Sequence, residues 1–173
     1  MNHVKKLIKG LFNLKSSVFI RNDQNSMYLR LISKGSITYL MKIGFKKGKK
    51  EQIDLPDWIV SNRDYTLSFL KGLADTDFSI YFRKSYPIIS FKSKSKPLVE
   101  NIFNFLKKEG FSLKNYYEEE KVDKRGYKNS KAYAIKLNGN KNMKLWLDLI
   151  NFRNRRHLKK LVRMGQREFE SRI

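Results

Sequence analysis

The chain has 173 residues, 38 of them Lys or Arg against 16 Asp or Glu, for a formal charge of +22 and a pI near 10.1. This length allows one domain or two small ones, and 40% hydrophobic with 13% aromatic content excludes a disordered basic tail. The lack of cysteine excludes disulfides and thiolate-ligated metal sites, and no apolar run approaches the roughly 18–20 residues that span a bilayer. MNHVKKLIKG lacks the long apolar region of a secretory signal, so a soluble, intracellular protein (cytoplasmic or organellar) is expected.

A compact body at this charge repels itself unless an acidic partner takes up the field. Nucleic acid suits that role, because each phosphate neutralised releases condensed counterions. An anionic membrane would require one helix with a cationic face opposite a Trp/Leu/Phe face. Here the excess is spread instead, +8 over residues 1–60 and +14 over 61–173.

In chain order, Val4–Phe12 has apolar residues at helical spacing. Ser17–Arg21 and Met27–Ile32 predict a hairpin around NDQNS, and Ser36–Phe45 a helix stopping at Gly44. Gly48 and Pro56 then mark a basic loop and linker. From Asn62 the pattern restarts: Asn62 or Asp64 caps a helix through TLSFLKGLAD, and strands follow at Ser79–Arg83 and Ile88–Lys94 around Ser85–Pro87. Pro97 opens another helix, Leu113–Glu119 and Ala132–Leu137 form a second strand pair, and Met143–Phe152 and the basic tail are helical. Residues 61–173 therefore read as αββαββα.

An internal repeat accompanies this order. YLRLISKGSITYLMKIGFKKGKK parallels YAIKLNGNKNMKLWLDLINFRNRRH: a strand beginning with Tyr, a turn, a helix ending Ile-Gly-Phe or Ile-Asn-Phe, then a basic cluster. VKKLIKGLFNLKSSVFIR likewise matches VENIFNFLKKEGFSLKNYYEE. Residues 1–60 thus read as the back half of a unit that residues 61–173 carry whole.

The restarted helix ends in Leu70-Lys71-Gly72-Leu73-Ala74-Asp75-Thr76-Asp77-Phe78. Gly72 and Ala74 are small enough for a second helix backbone to approach. Asp75 and Asp77 stand where the helix dipole disfavours carboxylates, which points to a charge partner such as a metal ion or Arg/Lys. A solvated helix end that carries two aspartates is the plainer alternative.

The segment LKGLADTDF, followed by two strands, resembles the signature of the LAGLIDADG homing endonucleases, and the resemblance covers nearly the whole chain. It implies an α+β fold: an αββαββα repeat with a curved antiparallel sheet over residues 61–173, and an N-terminal partial repeat over 1–60. It further implies that Asp77 holds a divalent metal, Mg²⁺, at the catalytic position and that Asp75 is a structural or capping acid. Gly72 and Ala74 would form the helix–helix contact, and Lys136 would be the basic residue of the pocket, with Arg30 its counterpart in the earlier half. Phe78 departs from the family's usual Gly. A bulky residue there needs an ordinary backbone.

Phosphodiester hydrolysis fits this inventory, since it uses carboxylate-held Mg²⁺, a metal-activated water and positive charge for the developing oxyanion. Tyr81, Arg83 and Ser85 alternate with Ile80 and Phe82, and Ser90, Lys92 and Lys94 with Ile89 and Phe91. One face is apolar and the other suits base edges and phosphates, although any half-exposed sheet has a polar side. Lys46, Lys47, Lys49 and Lys50, and Arg153, Arg155 and Arg156, occupy equivalent repeat positions and are assigned to phosphates. His3 and His157 read as surface residues.

Residues 1–60 contain no motif helix, so the second acid would come from another copy of the chain or from a separate polypeptide. The expected function is site-specific cleavage of double-stranded DNA. The alternative is a non-catalytic nucleic-acid binder: a decayed endonuclease, an intron RNA maturase or a DNA-binding regulator.

Overall fold

Helix and strand signals are realised in sequence order along a chain that divides into two units, Met1–Phe45 and Lys46–Ile173. This computed structural model describes every residue except 1, 25, 47, 49, 50, 52, 119, 123–125, 127, 130 and 171–173, and the side chains of 2–3, 115–116, 121–122, 128–129 and 164–170.

The first unit holds α1 (Asn2–Phe12), β1 (Ser17–Arg21), β2 (Ser26–Arg30) and α2 (Lys34–Lys42). The two strands pair antiparallel with Phe19 opposite Tyr28, and these rings stack 5.2 Å apart. Ser33 starts α2 two residues earlier than its apolar spacing suggests, because its Oγ accepts the Ser36 N–H at 3.1 Å. Gly44, at φ 100°, ends it: the Gly44 and Phe45 N–H groups donate back to Met41 and Leu40. Among its described residues only Ser36 is buried, so local hydrogen bonds rather than a core define this unit.

The second unit runs α3 (Asp57–Val60), α4 (Arg63–Thr76), β3 (Phe78–Arg83), β4 (Tyr86–Ser93), α5 (Lys96–Lys108), β5 (Leu113–Glu118), β6 (Lys121–Val122), β7 (Lys128–Asn129), β8 (Ala132–Asn138), α6 (Asn140–Leu149) and α7 (Arg155–Glu170). It is an α+β body. β3, β4, β8 and β5 form one antiparallel sheet in that order, and β6 and β7 make a small pair within the β5–β8 connection. Phe78, Ile80, Ile89, Phe91, Ile135 and Leu137 are buried on one sheet face, beneath Leu98, Ile102 and Leu106 of α5 and Trp146 of α6. Trp146 is wholly buried, with Phe78 at 4.7 Å, Phe152 at 5.6 Å and Phe111 at 6.2 Å between ring centroids. Such a residue is worth roughly 3–5 kcal/mol against truncation to Ala. No helix among the described residues is long and apolar enough to cross a membrane.

The segment expected to be a linker is part of this body. Leu55 and Ile59 enter the core, Asn101 Nδ2 donates to Asp54 at 2.7 Å, Ser95 Oγ donates to the Ile53 carbonyl, and Thr66 donates to Ile59 O at 2.7 Å. Gly48 and Pro56 suggest a loop, but Ile53, Leu55, Trp58, Ile59 and Val60 give the segment an apolar content that fits burial. The repeat has a geometric counterpart: α1–β1–β2–α2 and α5–β5–β8–α6 are each a helix, an antiparallel strand pair and a helix. Their aligned Gly44 and Asn151 both adopt positive φ, 100° and 64°.

β8 meets α6 at Gly139, where φ is 90° and ψ 167°, a region closed to other residues. A Cβ there would also lie 3.0 Å from the Tyr86 hydroxyl. Gly139→Ala is therefore expected to destabilise the protein by about 1–3 kcal/mol, measured as a lower denaturant midpoint at unchanged slope.

Candidate nucleic-acid interface

The motif occupies the C-terminal half of α4. Asn62 opens this helix, its Oδ1 accepting the Asp64 and Tyr65 N–H groups at 3.0 Å. Thr66, Leu67, Leu70 and Ala74 turn into the core, while Tyr65, Ser68, Gly72 and Thr76 are exposed. This corrects the pairing of Gly72 with Ala74. Residues two apart point to opposite sides of a helix, and Ala74 is completely buried in the body's own core. Gly72 alone of the two lies on the outer face, and no atom stands within 4 Å of where its Cβ would be.

Asp75 Oδ1 accepts the backbone N–H groups of Arg153 at 2.7 Å and Asn154 at 2.8 Å, and Asn154 Nδ2 donates to the Asp75 carbonyl at 2.8 Å. An acid disfavoured at the end of α4 is thus placed at the start of α7, where a carboxylate is favoured. Asp77 is exposed as the C-cap of α4, its N–H bonded to Leu73 O and its Oδ2 accepting the Thr76 hydroxyl at 2.6 Å. Phe78 begins β3 and is buried, stacked 4.9 Å from Phe91. The bulky residue after the second acid is therefore a core anchor. Among the described residues no three or more His, Cys, Asp or Glu side chains gather in one group.

The sheet face opposite the core carries mostly polar side chains, with Ile88 an apolar exception. Ser79, Ser90, Lys136 and Lys114 stand in register across all four strands, and Tyr81, Ile88 and Asn138 form the next row. Arg83, opposite Tyr86, is exposed, and Tyr81 and Lys136 are half-buried. Three expected readers differ from their assignment. Ser90 is buried in the central strand with its carbonyl accepting the Ser79 hydroxyl; Ser85 lies in a two-residue turn with Lys84 at φ 56°; Lys94 falls beyond the end of β4. Lys92 is on the face but bound to both oxygens of Glu118 at 2.8 Å. Lys114 was missed, although the alternation Leu113-Lys114 carries its signal.

Arg30 closes β2 in the first unit and Lys46 opens the second, both exposed, while Lys47, Lys49 and Lys50 lie outside the described residues. Arg153, Arg155 and Arg156 are exposed at the start of α7. Lys159, Lys160 and Arg163 continue its cationic face, and Lys160 Nζ donates to the Ile80 carbonyl at 2.8 Å.

His157 is not a surface residue. It is 6% exposed and packs on Phe152 at 4.8 Å, because the next turn of an amphipathic α7 must face inward. Burial, the Lys160 charge and Arg156 push its pKa below the usual value, with only Asp75 opposing. The unfolded chain then binds more protons than the native one. The stability contributed by neutral His157 should be full above pH 6.5 and fall as pH drops from there toward the depressed native pKa. Denaturation midpoints on both sides of that window check this, and His157→Phe should flatten the difference.

No protein-family model matches the chain, and a search of curated proteins gives no match.

Proposed function

We propose that the protein is a metal-dependent, site-specific double-stranded DNA endonuclease of the LAGLIDADG homing type. The observation that carries this reading is the junction of α4 and β3, where Asp77 is exposed at the end of the motif helix and the next residues run into a sheet whose face away from the core carries Arg83, Lys114 and Lys136. Asp77 would hold Mg²⁺, with backbone, phosphate and water oxygens completing its coordination. When bound, the ion supplies Lewis acidity and an activated water. Arg83 and Tyr81 would read base edges, and Lys136 and Lys114, adjacent on that face, would offset phosphate charge.

The exposed face around Gly72 would admit a second copy of the helix, whose Asp77 would serve the other strand. The resemblance also supports an αββαββα repeat preceded by a partial one, in line with the matching element order of the two units. A second reading, a non-catalytic binder of DNA or RNA, draws support from Phe78, which fills the core where the family has Gly.

Two measurements decide. Asp77→Asn should lower Mg²⁺-dependent cleavage of a randomised plasmid pool by about 10²-fold or more while leaving duplex binding intact. Equal cleavage by both proteins would sink the nuclease reading, and binding without cleavage by either would favour the second. Arg83→Gln should cost about 1–3 kcal/mol on the selected sequence and far less on scrambled duplex. An equal loss on both would remove the sheet face from base reading.

A further inference from the structure

We propose that the cationic face of α7 is a separate, sequence-independent site for the phosphate backbone of a nucleic-acid duplex, held rigidly beside strand β3. Arg155, Arg156, Lys159, Lys160 and Arg163 line one open concavity of about 390 Å³. At 100° per residue these five positions fall within an arc of roughly 140°, along roughly 12 Å of helix. Duplex DNA presents one charge per roughly 1.7 Å of axis, so a stretch of that length offers several phosphates. Among the described residues no carboxylate forms an ion pair with any of the five.

The face is set in position before any ligand arrives. Asp75 receives the amides that lead into α7, Asn154 Oδ1 accepts the Arg156 N–H at 3.0 Å, and His157 is packed on Phe152. Lys160 ties the helix to Ile80 with one of its three donors and keeps the others. Five like charges gathered on an anchored helix repel one another, and a polyanion that displaces their small counterions relieves this. A lipid surface is the poorer fit: Leu161 and His157 pack against the body, which leaves Leu158 and Val162 as the exposed apolar residues of the described part.

This inference rests on the proposed function only for its choice of duplex as partner, and it requires no cleavage. The test uses the full chain and a labelled duplex of scrambled sequence, with affinity followed from about 50 to 200 mM salt. Replacing exposed Lys159 and Arg163 together by Gln should flatten the log–log slope by about 1.8, two contacts at about 0.9 each. Affinity would then fall about tenfold less across that range. Lys159→Arg with Arg163→Lys should restore the slope, while all variants keep the parental melting temperature.

An unchanged slope in the Gln variant overturns the proposal. So does loss of binding to phosphatidylserine vesicles with duplex binding intact, which would assign the face to membrane. If the slope shifts but Mg²⁺-dependent cleavage never occurs, the α7 site stands and the endonuclease reading falls. Asp77-dependent cleavage with an unshifted slope gives the reverse.

Discussion

The packing of Phe78 between Phe91 and Trp146 is the constraint on which the rest of the second unit depends. A single residue, Asp77, separates the end of α4 from the start of β3. With the Phe78 ring locked into the aromatic cluster, the helix axis, the strand direction and the outward placement of Asp77 are fixed together. The same cluster seats Phe152 against Trp146, and Phe152 in turn carries His157 and the first turns of α7. One apolar contact set therefore governs the motif, the sheet and the last helix.

Electrostatics then divides the acids by task. Asp75 neutralises a helix start, Glu109 holds Arg63 through two bonds of 2.8 and 2.9 Å, and Glu118 holds Lys92. The Lys92–Glu118 and Lys96–Glu100 pairs lie at the surface, where each is worth about 0–1 kcal/mol, while Glu109 of the Arg63 pair is largely covered. The formal charge of +22 is what remains after every acid is counted. Exposed cations stand on the outer sheet face, at Arg83 and Lys114, and along α7, at Arg155, Arg156, Lys159 and Arg163, and Asp77 is an exposed acid at the start of β3.

Much of this was legible in the sequence, because periodicity and capping are local properties. Asn62, Ser95 with Pro97, and the alternation in Phe78–Arg83 mark α4, α5 and β3 without knowledge of their neighbours. The repeat was legible for a similar reason, since Ile-Gly-Phe and Ile-Asn-Phe both end helices through a residue that tolerates positive φ. What escaped was set by tertiary context. Ala74 reads as a small outward residue until the core lies beneath it, and His157 reads as part of a charge run until Phe152 packs on it. Leu55 and Ile59 lie in a short segment broken by Pro56, which hides their place in the core, and whether Lys92 is free depends on Glu118, a residue 26 positions away in sequence.

The bond from Lys160 to the Ile80 carbonyl has a consequence for the behaviour of the protein in concentrated solution. β3 is an edge strand, and its outward carbonyls are a template on which another chain can add a strand. Lys160 occupies that row with an ammonium group, so an incoming strand would have to displace it or bury it. Helix α7 thus shields the residues Phe78-Ile80-Phe82 from edge-to-edge aggregation.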